Sequence, residues 1–316
     1  MIIGFSFTAK LAKFSGLWAG SGQNRPACVT RVNKMQRIII FASDNQIETV
    51  MGFFTGKTVI ITGAGKSLLK DGRCGSIGYG IAHAFAKEGA NLVITGRNIP
   101  KMEAAKEELE SAYGVKVFCL QADIKAGADN IATAGEVVRK TVETFGGIQV
   151  LVNNAQASAS GVSLAAHTAE NFDLAIYSGL YAAFAYMKAC YPYLKESRGS
   201  VINFASGAGL FGNAGQCSYA AAKEGIRGLS RVAATEWAPD GINVNVVCPL
   251  AWTAQLEKFR DAYPDAYEKN VHVPPMGHFG DAETEIGRVV VQLASPDFKY
   301  MSGETLTLEG GLGQRP

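Results

Sequence analysis

Short β-branched runs alternate with amphipathic stretches from Lys57 to the end of the chain, and this alternation constrains the fold more than any other feature. Seven runs have the length and composition of strands, at 57–62, 91–97, 115–123, 148–155, 199–206, 241–249 and 304–311. The stretches between them carry apolar residues at helical spacing. Such alternation is typical of βαβ units. The sequence therefore predicts an α/β protein, a single Rossmann-type doubly wound domain with a mainly parallel seven-stranded sheet and helices on both faces.

Composition excludes several other classes of protein. Hydrophobic residues make up 47% of the chain and charged residues 18%, with a formal net charge of +2. This balance is unlike that of disordered chains or of proteins with a basic nucleic-acid-binding face. No apolar run is long enough for a membrane-spanning helix. The six cysteines form no CxxC pair and no cluster with zinc spacing, so we predict a cytoplasmic protein without a metal site.

The first fifty residues differ from the rest of the chain. They carry several lysines and arginines and no acidic residue before Asp44, and they lack a clear period. Met51 opens a segment that runs directly into the first predicted strand. We predict that residues 1–50 are a disordered extension or the product of a mis-assigned start, and that residues 51–316 form the domain.

The first strand leads into a glycine-rich loop, TGAGKSLLKDGRCGSIGYG, at 62–80. Glycines between a strand and a helix let the backbone approach a pyrophosphate that also meets the helix N-terminus. The loop departs from the common GxGxxG pattern because a polar, basic insert at 66–73 separates Gly63 from Gly78. Its position after a strand and before a helix still predicts a dinucleotide site.

The end of the second strand bears on the choice of cofactor. A site for NAD(H) commonly has Asp or Glu here to bind the ribose hydroxyls, whereas this chain has Gly96 followed by Arg97. An acid repels a 2′-phosphate, and an arginine can bind it through several donors. We therefore predict NADP(H) as the preferred cofactor, with NAD(H) as the alternative.

Three polar residues in the second half of the chain predict acid–base chemistry. Tyr219 and Lys223 are four residues apart in a helical stretch and so share one helix face. A nearby cation favours the phenolate, and the sequence thus predicts a lowered pKa for Tyr219 and proton exchange with an alcohol oxygen. Ser206, thirteen residues earlier, ends the fifth predicted strand and could hold that oxygen.

Together these motifs resemble the short-chain dehydrogenase/reductase family over essentially all of residues 51–316. The resemblance implies that Tyr219 is the acid/base, that Lys223 binds the nicotinamide ribose and tunes the tyrosine, and that Ser206 orients the substrate carbonyl. It also implies a set of cofactor-contacting residues at Gly63, Ser76, Ile77, Gly78, Arg97, Asp123, Ile124, Asn154, Tyr219, Lys223 and Thr253.

Several positions depart from the family pattern. Gln156 stands where the family has the glycine of NNAG, and Ser76 replaces a loop glycine. The asparagine that completes the family's catalytic set aligns with Gly179. The expectation is that Ser178 or a water molecule replaces it in proton transfer. Thr253 is the nearest candidate for contact with the nicotinamide amide.

The segments NNAQASASG, YSGLYA and DFKYMSGETLTLEGG resemble a bacterial subfamily, the 12α-hydroxysteroid dehydrogenases that act on bile acids. This resemblance implies reversible oxidation of the 12α-hydroxyl of cholate or deoxycholate. The segment 251–279 supplies aromatic residues that could cover an apolar steroid. Family members usually pair the helices predicted at 168–196 and 216–238, which implies a homodimer or homotetramer.

Three alternatives stay open at this point. SIGYGIA is also similar to the enoyl reductase branch of the family, although that branch has six residues between its tyrosine and lysine and this chain has three. A second alternative is another short-chain alcohol, ketone or 3-oxoacyl reductase. A third is a non-catalytic NADP-binding regulator, which the missing asparagine favours and the three polar residues at 206, 219 and 223 oppose.

Overall fold

Residues 52–124 and 129–313 are described by the computed structural model of the chain. The predicted extension at 1–50 and the predicted domain start at Met51 lie outside the described residues. No helix within the described ranges is both long and apolar enough to cross a membrane.

Seven parallel strands form one sheet in the order β3-β2-β1-β4-β5-β6-β7. The strands are β1 (Thr58–Thr62), β2 (Asn91–Gly96), β3 (Val117–Gln121), β4 (Val150–Asn153), β5 (Ser200–Phe204), β6 (Asn243–Pro249) and β7 (Thr305–Leu308). The predicted α/β fold and its seven strands are confirmed. All six pairings are parallel, so the sheet is more regular than the prediction of a mainly parallel one.

Within residues 52–124 and 129–313, ten α-helices connect and follow the strands. They are α1 (Ile77–Lys87), α2 (Ile99–Tyr113), α3 (Asp129–Phe145), α4 (Ala169–Ala175), α5 (Ala182–Ser197), α6 (Gly207–Phe211), α7 (Cys217–Trp237), α8 (Ala254–Ala262), α9 (Pro264–Asn270) and α10 (Arg288–Ala294). Two π-helical turns, Ile176–Tyr181 and Ala282–Gly287, precede α5 and α10.

Both faces of the sheet are covered, because alternate strand residues point to opposite sides. Val59 and Ile61 of β1 belong to one apolar core with Phe85 of α1. Ile60, between them, belongs to a second core with Leu194 of α5. Strands that are buried on both faces read as continuous β-branched runs, and this made their positions predictable from sequence.

The long helix predicted at 168–196 is interrupted. Ile176–Tyr181 widens into the first π-helical turn between α4 and α5. Such turns are frequent at functional sites. The interruption lies at Gly179, the position at which the family pattern predicts an asparagine.

The strand order places the carboxyl ends of β1 and β4 at the point where the chain direction across the sheet reverses. In open α/β sheets, ligands bind in the crevice beyond the strand ends at this point. Candidate functional residues are therefore expected in the loops that follow β1, β4 and β5.

Candidate active site

The glycine-rich loop makes a close backbone approach beside β4. Gly63 has a φ of +74°, which favours glycine. A methyl group on Gly78 would lie 2.3 Å from the Gly63 carbonyl oxygen and 2.6 Å from Asn154 Nδ2. Asn154 in turn donates to the Thr62 carbonyl oxygen at 2.9 Å. The structure thus brings Gly63, Gly78 and Asn154 together, and their predicted contact with a cofactor remains a prediction.

The start of α1 fits a bound phosphate. Ser76 is its N-terminal flanking residue, and the Ser76 hydroxyl is buried without a hydrogen-bond partner among the described residues. The first turn, which begins at Ile77, contains no acidic residue. Free amide donors, a positive helix end and an orphaned hydroxyl suit an anionic group. These residues therefore fit the pyrophosphate of a dinucleotide.

We expect Gly78→Ala to lower both cofactor affinity and stability, because the added methyl group meets backbone that is fixed at the end of β1. The expected cost is about 1–3 kcal/mol of unfolding free energy, and dinucleotide binding is expected to weaken together with it. Gly228→Ala is the matched control, because a methyl group there meets nothing within 4 Å on α7. Calorimetric melts and cofactor titration of both variants would measure the difference, and equal melting temperatures would contradict the prediction.

The residues expected around the adenosine half follow β2 and β3. The side chain of Arg97 is exposed and makes no hydrogen bond or ion pair to the described residues. Its backbone carbonyl oxygen accepts from Gln121 Nε2 at 3.1 Å, which ties the ends of the two strands together. Asp123 and Ile124 come directly after β3, and Ile124 packs against the second core. All three predicted positions lie at the carboxyl edge of the sheet.

Ser206, Tyr219 and Lys223 converge beyond β5. Ser206 caps α6 by accepting from the Ala208 amide at 3.2 Å, and its hydroxyl is close enough to Tyr219 to lower the pKa of that phenol. The Lys223 ammonium lies 5.4 Å from the centre of the Tyr219 ring, one helical turn away on α7. Lys223 is 4% exposed and donates to the Phe204 carbonyl oxygen at 2.6 Å. The predicted shared helix face is therefore present.

The predicted direction of the Tyr219 pKa is wrong. Burial raises the pKa of Tyr219 above its usual value, although the Ser206 hydroxyl opposes this. Burial also lowers the pKa of Lys223 to about 7. Desolvation penalises the charged forms of both residues and is the largest cause of each shift. The sequence could not predict this because it does not give the depth of burial.

Ser178 lies beside Gly179, the position of the missing asparagine. It is fully buried, and its hydroxyl bonds to the Ala157 amide and to the carbonyl oxygens of Ala157 and Leu174 at 2.6–2.9 Å. The two carbonyl oxygens share its one proton, and the Ala157 amide uses one of its two lone pairs. The expectation that Ser178 or a water molecule replaces the asparagine in proton transfer remains a prediction.

Two departures from the family pattern prove to be neighbours in space. A methyl group on Gly179 would lie 2.6 Å from Gln156 Cδ and 2.7 Å from Gln156 Oε1. The Gln156 side chain therefore fills the volume beside Gly179 where the family's asparagine would begin. Its Oε1 atom is buried without a hydrogen-bond partner among the described residues. The two substitutions compensate sterically, which alignment to a pattern does not reveal.

Thr253 caps a helix at the edge of the site. Its hydroxyl accepts from the Leu256 amide at 3.2 Å and begins α8. The oxygen keeps one lone pair and the hydroxyl proton for a further contact. The predicted contact of Thr253 with the nicotinamide amide remains a prediction.

The aromatic residues of 251–279 pack on one another. Trp252 contacts Tyr267 and Phe279 at ring separations of 6.3 and 5.6 Å, and Arg260 stacks 4.9 Å from the Trp252 ring. A cavity of about 400 Å³ lies nearby, lined by Met276, His278 and residues 307–311 among others. Ser206, Tyr219 and Lys223 do not line this cavity. The aromatic cluster exists, and its role as a steroid cover stays a prediction.

Comparison with known proteins now places the chain. Residues 72–313 match a family profile described as enoyl-(acyl carrier protein) reductase. A curated relative, 12α-hydroxysteroid dehydrogenase of Clostridium sp. strain ATCC 29733, is 68% identical over 266 residues, which cover 84% of this chain and 100% of the relative. The chain belongs to the short-chain dehydrogenase/reductase family. It is therefore an oxidoreductase, and the predicted family and enzyme class are confirmed.

More distant relatives agree with this assignment. The 3-oxoacyl-(acyl-carrier-protein) reductase of Staphylococcus aureus strain N315 is 34% identical over 250 residues, covering 78% of this chain and 98% of that protein. A structure described as a short-chain dehydrogenase/reductase from Burkholderia xenovorans superposes with a TM-score of 0.75 at 29% identity, covering 84% of this chain and 99% of that one. The family implies a nicotinamide cofactor, which the loop around Gly63, Ser76 and Gly78 fits.

Proposed function

We propose that the enzyme is an NADP(H)-dependent hydroxysteroid dehydrogenase that reversibly oxidises the 12α-hydroxyl of bile acids, such as cholate and deoxycholate, to the 12-oxo acid. The observation that carries this proposal is the 68% identity to a 12α-hydroxysteroid dehydrogenase over that relative's full length. The convergence of Ser206, Tyr219 and Lys223 at the strand ends supports the same chemistry.

Each of the three residues has a distinct task in the proposed reaction. A nicotinamide cofactor, when bound, would supply the hydride chemistry. During oxidation Tyr219, as phenolate, takes the proton of the substrate hydroxyl, and during reduction it returns that proton to the carbonyl oxygen. Ser206, which already contacts the Tyr219 hydroxyl, holds the same substrate oxygen. Lys223 sits over the Tyr219 ring and holds the phenolate electrostatically whenever it is charged.

The substrate assignment is tested by an assay with two acids and two cofactors. Cholate and chenodeoxycholate differ in the 12α-hydroxyl, and each is incubated with NADP⁺ or NAD⁺ while nicotinamide reduction is followed. We expect turnover with cholate only, and faster turnover with NADP⁺. Equal rates with both acids would show that the enzyme oxidises a hydroxyl other than the 12α-hydroxyl. No turnover with either acid would reject a bile acid substrate and favour a different reductase.

Arg97→Asp is expected to reverse the cofactor preference. The unpaired, exposed guanidinium of Arg97 at the end of β2 is placed to bind a 2′-phosphate, and an acid there repels it. Loss of charge-assisted hydrogen bonds should raise KM for NADP⁺ by about 10–100-fold, with KM for NAD⁺ unchanged or lower. Arg231→Asp, on exposed α7 surface, controls for the change in net charge. An unchanged ratio of the two KM values would refute the NADP(H) assignment.

Self-association is proposed through the faces of α4, α5 and α7. These helices expose Phe172, Phe184 and Val232 at 38%, 37% and 55%. Apolar side chains on the helices that family members pair favour a homodimer or homotetramer. Sedimentation analysis measures the oligomeric state directly.

We also propose a cytoplasmic location, which the free thiols of the described cysteines support.

A further inference from the structure

Three metal-ligating side chains meet outside the candidate active site. Cys74, His83 and Glu283 each offer one ligand atom, and these atoms lie within 4.8 Å of one another. They come from three separate segments, which are the end of the loop insert, the middle of α1 and the second π-helical turn. Cys74 and His83 are buried, at 7% and 7% exposure. Tertiary packing alone creates this cluster.

His83 is oriented as a ligand would be. Its Nδ1 atom lies 3.0 Å from the Tyr113 hydroxyl, while Nε2 is buried and makes no hydrogen bond among the described residues. The ring also packs edge-on against Tyr79, with ring centres 4.6 Å apart. A histidine that binds a metal typically makes a hydrogen bond with one ring nitrogen and coordinates the metal with the other.

The carboxylates of Glu283 and Glu108 are oriented in the same way, each with one oxygen paired with a lysine and the other near Cys74 or His83. Glu283 binds Lys87 through Oε1, and its Oε2 lies 3.9 Å from Cys74 Sγ. Glu108 binds Lys66 through Oε2 at 2.7 Å, and its Oε1 lies 3.5 Å from His83 Nε2. In each carboxylate a lysine pairs with one oxygen, and the other oxygen faces the cluster. Such outer partners orient metal ligands and balance their charge.

We propose that this cluster binds Zn²⁺ through Cys74 Sγ, His83 Nε2 and one oxygen of Glu283, with Glu108 as the fourth ligand. Thiolate, imidazole and carboxylate are zinc's usual ligands, in tetrahedral sites with bonds of about 2.0–2.3 Å. Binding forms the zinc–sulfur bond and releases the thiol proton to solvent, with no change of oxidation state.

The proposed site would have a structural role close to the cofactor loop. Cys74 lies two residues before Ser76, which begins α1, and the Ala254 amide donates to the Gly75 carbonyl oxygen at 2.8 Å. A metal at Cys74 would therefore tie the insert to α1 and to the second π-helical turn. The positions 74, 83 and 283 form no short zinc motif, which is why the sequence predicted no metal site.

Cobalt titration of the tag-free full-length chain tests the proposal. After dialysis against a chelator, wild-type protein should bind one Co²⁺ with a thiolate charge-transfer band in the near ultraviolet and tetrahedral bands in the visible, and Zn²⁺ should displace it. Cys74→Ser should abolish the charge-transfer band and weaken binding by at least about tenfold. Cys119→Ser is the control, because Cys119 lies on β3 outside the cluster.

His83→Gln and Glu283→Gln provide independent tests if Cys74→Ser does not fold, and each should also weaken metal binding by at least about tenfold. Zinc should raise the melting temperature of wild-type protein and leave that of His83→Gln unchanged. Binding of less than one Co²⁺ per two chains, or a cobalt spectrum that is the same in wild type and Cys74→Ser, would overturn the proposal.

Discussion

Tyr219→Phe is expected to lower kcat for alcohol oxidation by about 10²–10⁴-fold, the usual contribution of a positioned acid or base. The phenylalanine ring fills the same space on α7 and cannot take up a proton. The dissociation constant for the nicotinamide cofactor should stay within about twofold, because the predicted pyrophosphate contacts are in the loop around Ser76 and Gly78 and do not involve the Tyr219 hydroxyl. Stopped-flow turnover and cofactor fluorescence titration measure the two quantities on one preparation.

Tyr300→Phe is the matched control for this variant. Tyr300 is fully exposed, and its replacement should leave kcat unchanged. The wild-type pH profile adds a second readout. Because burial raises the pKa of Tyr219, the oxidation rate, which needs the phenolate, should rise with pH, while the reduction rate, which needs the phenol, should fall at high pH. If Tyr219→Phe keeps more than a tenth of wild-type turnover, another group transfers the proton.

Lys223→Met is expected to stabilise the ligand-free chain while it removes activity. Lys223 is 4% exposed, and burial lowers its pKa to about 7 from an unfolded value near 10.5. A buried ammonium with one hydrogen bond is costly, and methionine has a similar length without charge. After loss of the bond to Phe204, the expected net gain is about 2 kcal/mol at pH 7, or a rise in melting temperature of about 4–8 °C.

The stability gained by Lys223→Met should decrease as pH rises. Between pH 7 and 10.5 the unfolded chain binds the proton of Lys223 more readily than the folded chain does, so this lysine makes wild type less stable as pH falls. The gain from Lys223→Met should therefore be largest at pH 7 and below and should vanish near pH 10.5. Lys269→Met, on exposed surface, controls for charge removal. A lower melting temperature for Lys223→Met at pH 7 would show that the buried ammonium stabilises the fold.

Local patterns accounted for most of the fold. The strand at 57–62 was predictable because β1 is buried on both faces, so its residues are apolar or β-branched without interruption. The interruption at Ile176–Tyr181 was not predictable, because weak helix formers such as Ser178 and Gly179 indicate a less stable helix without specifying a π-helical turn. The fit between Gln156 and Gly179 is a contact between residues far apart in the chain, and only the packing of the β4 loop against that turn creates it.

By itself the sequence determined the alternation of strands and helices, the residues at each strand end and the shared helix face of Tyr219 and Lys223. These are short-range properties, set by side-chain period and by neighbours within a few residues. Only the tertiary structure decided how deeply Lys223 is buried, and hence the direction of its pKa shift. It alone brought Cys74 and Glu283 to one point, because contact between distant segments depends on how whole elements pack.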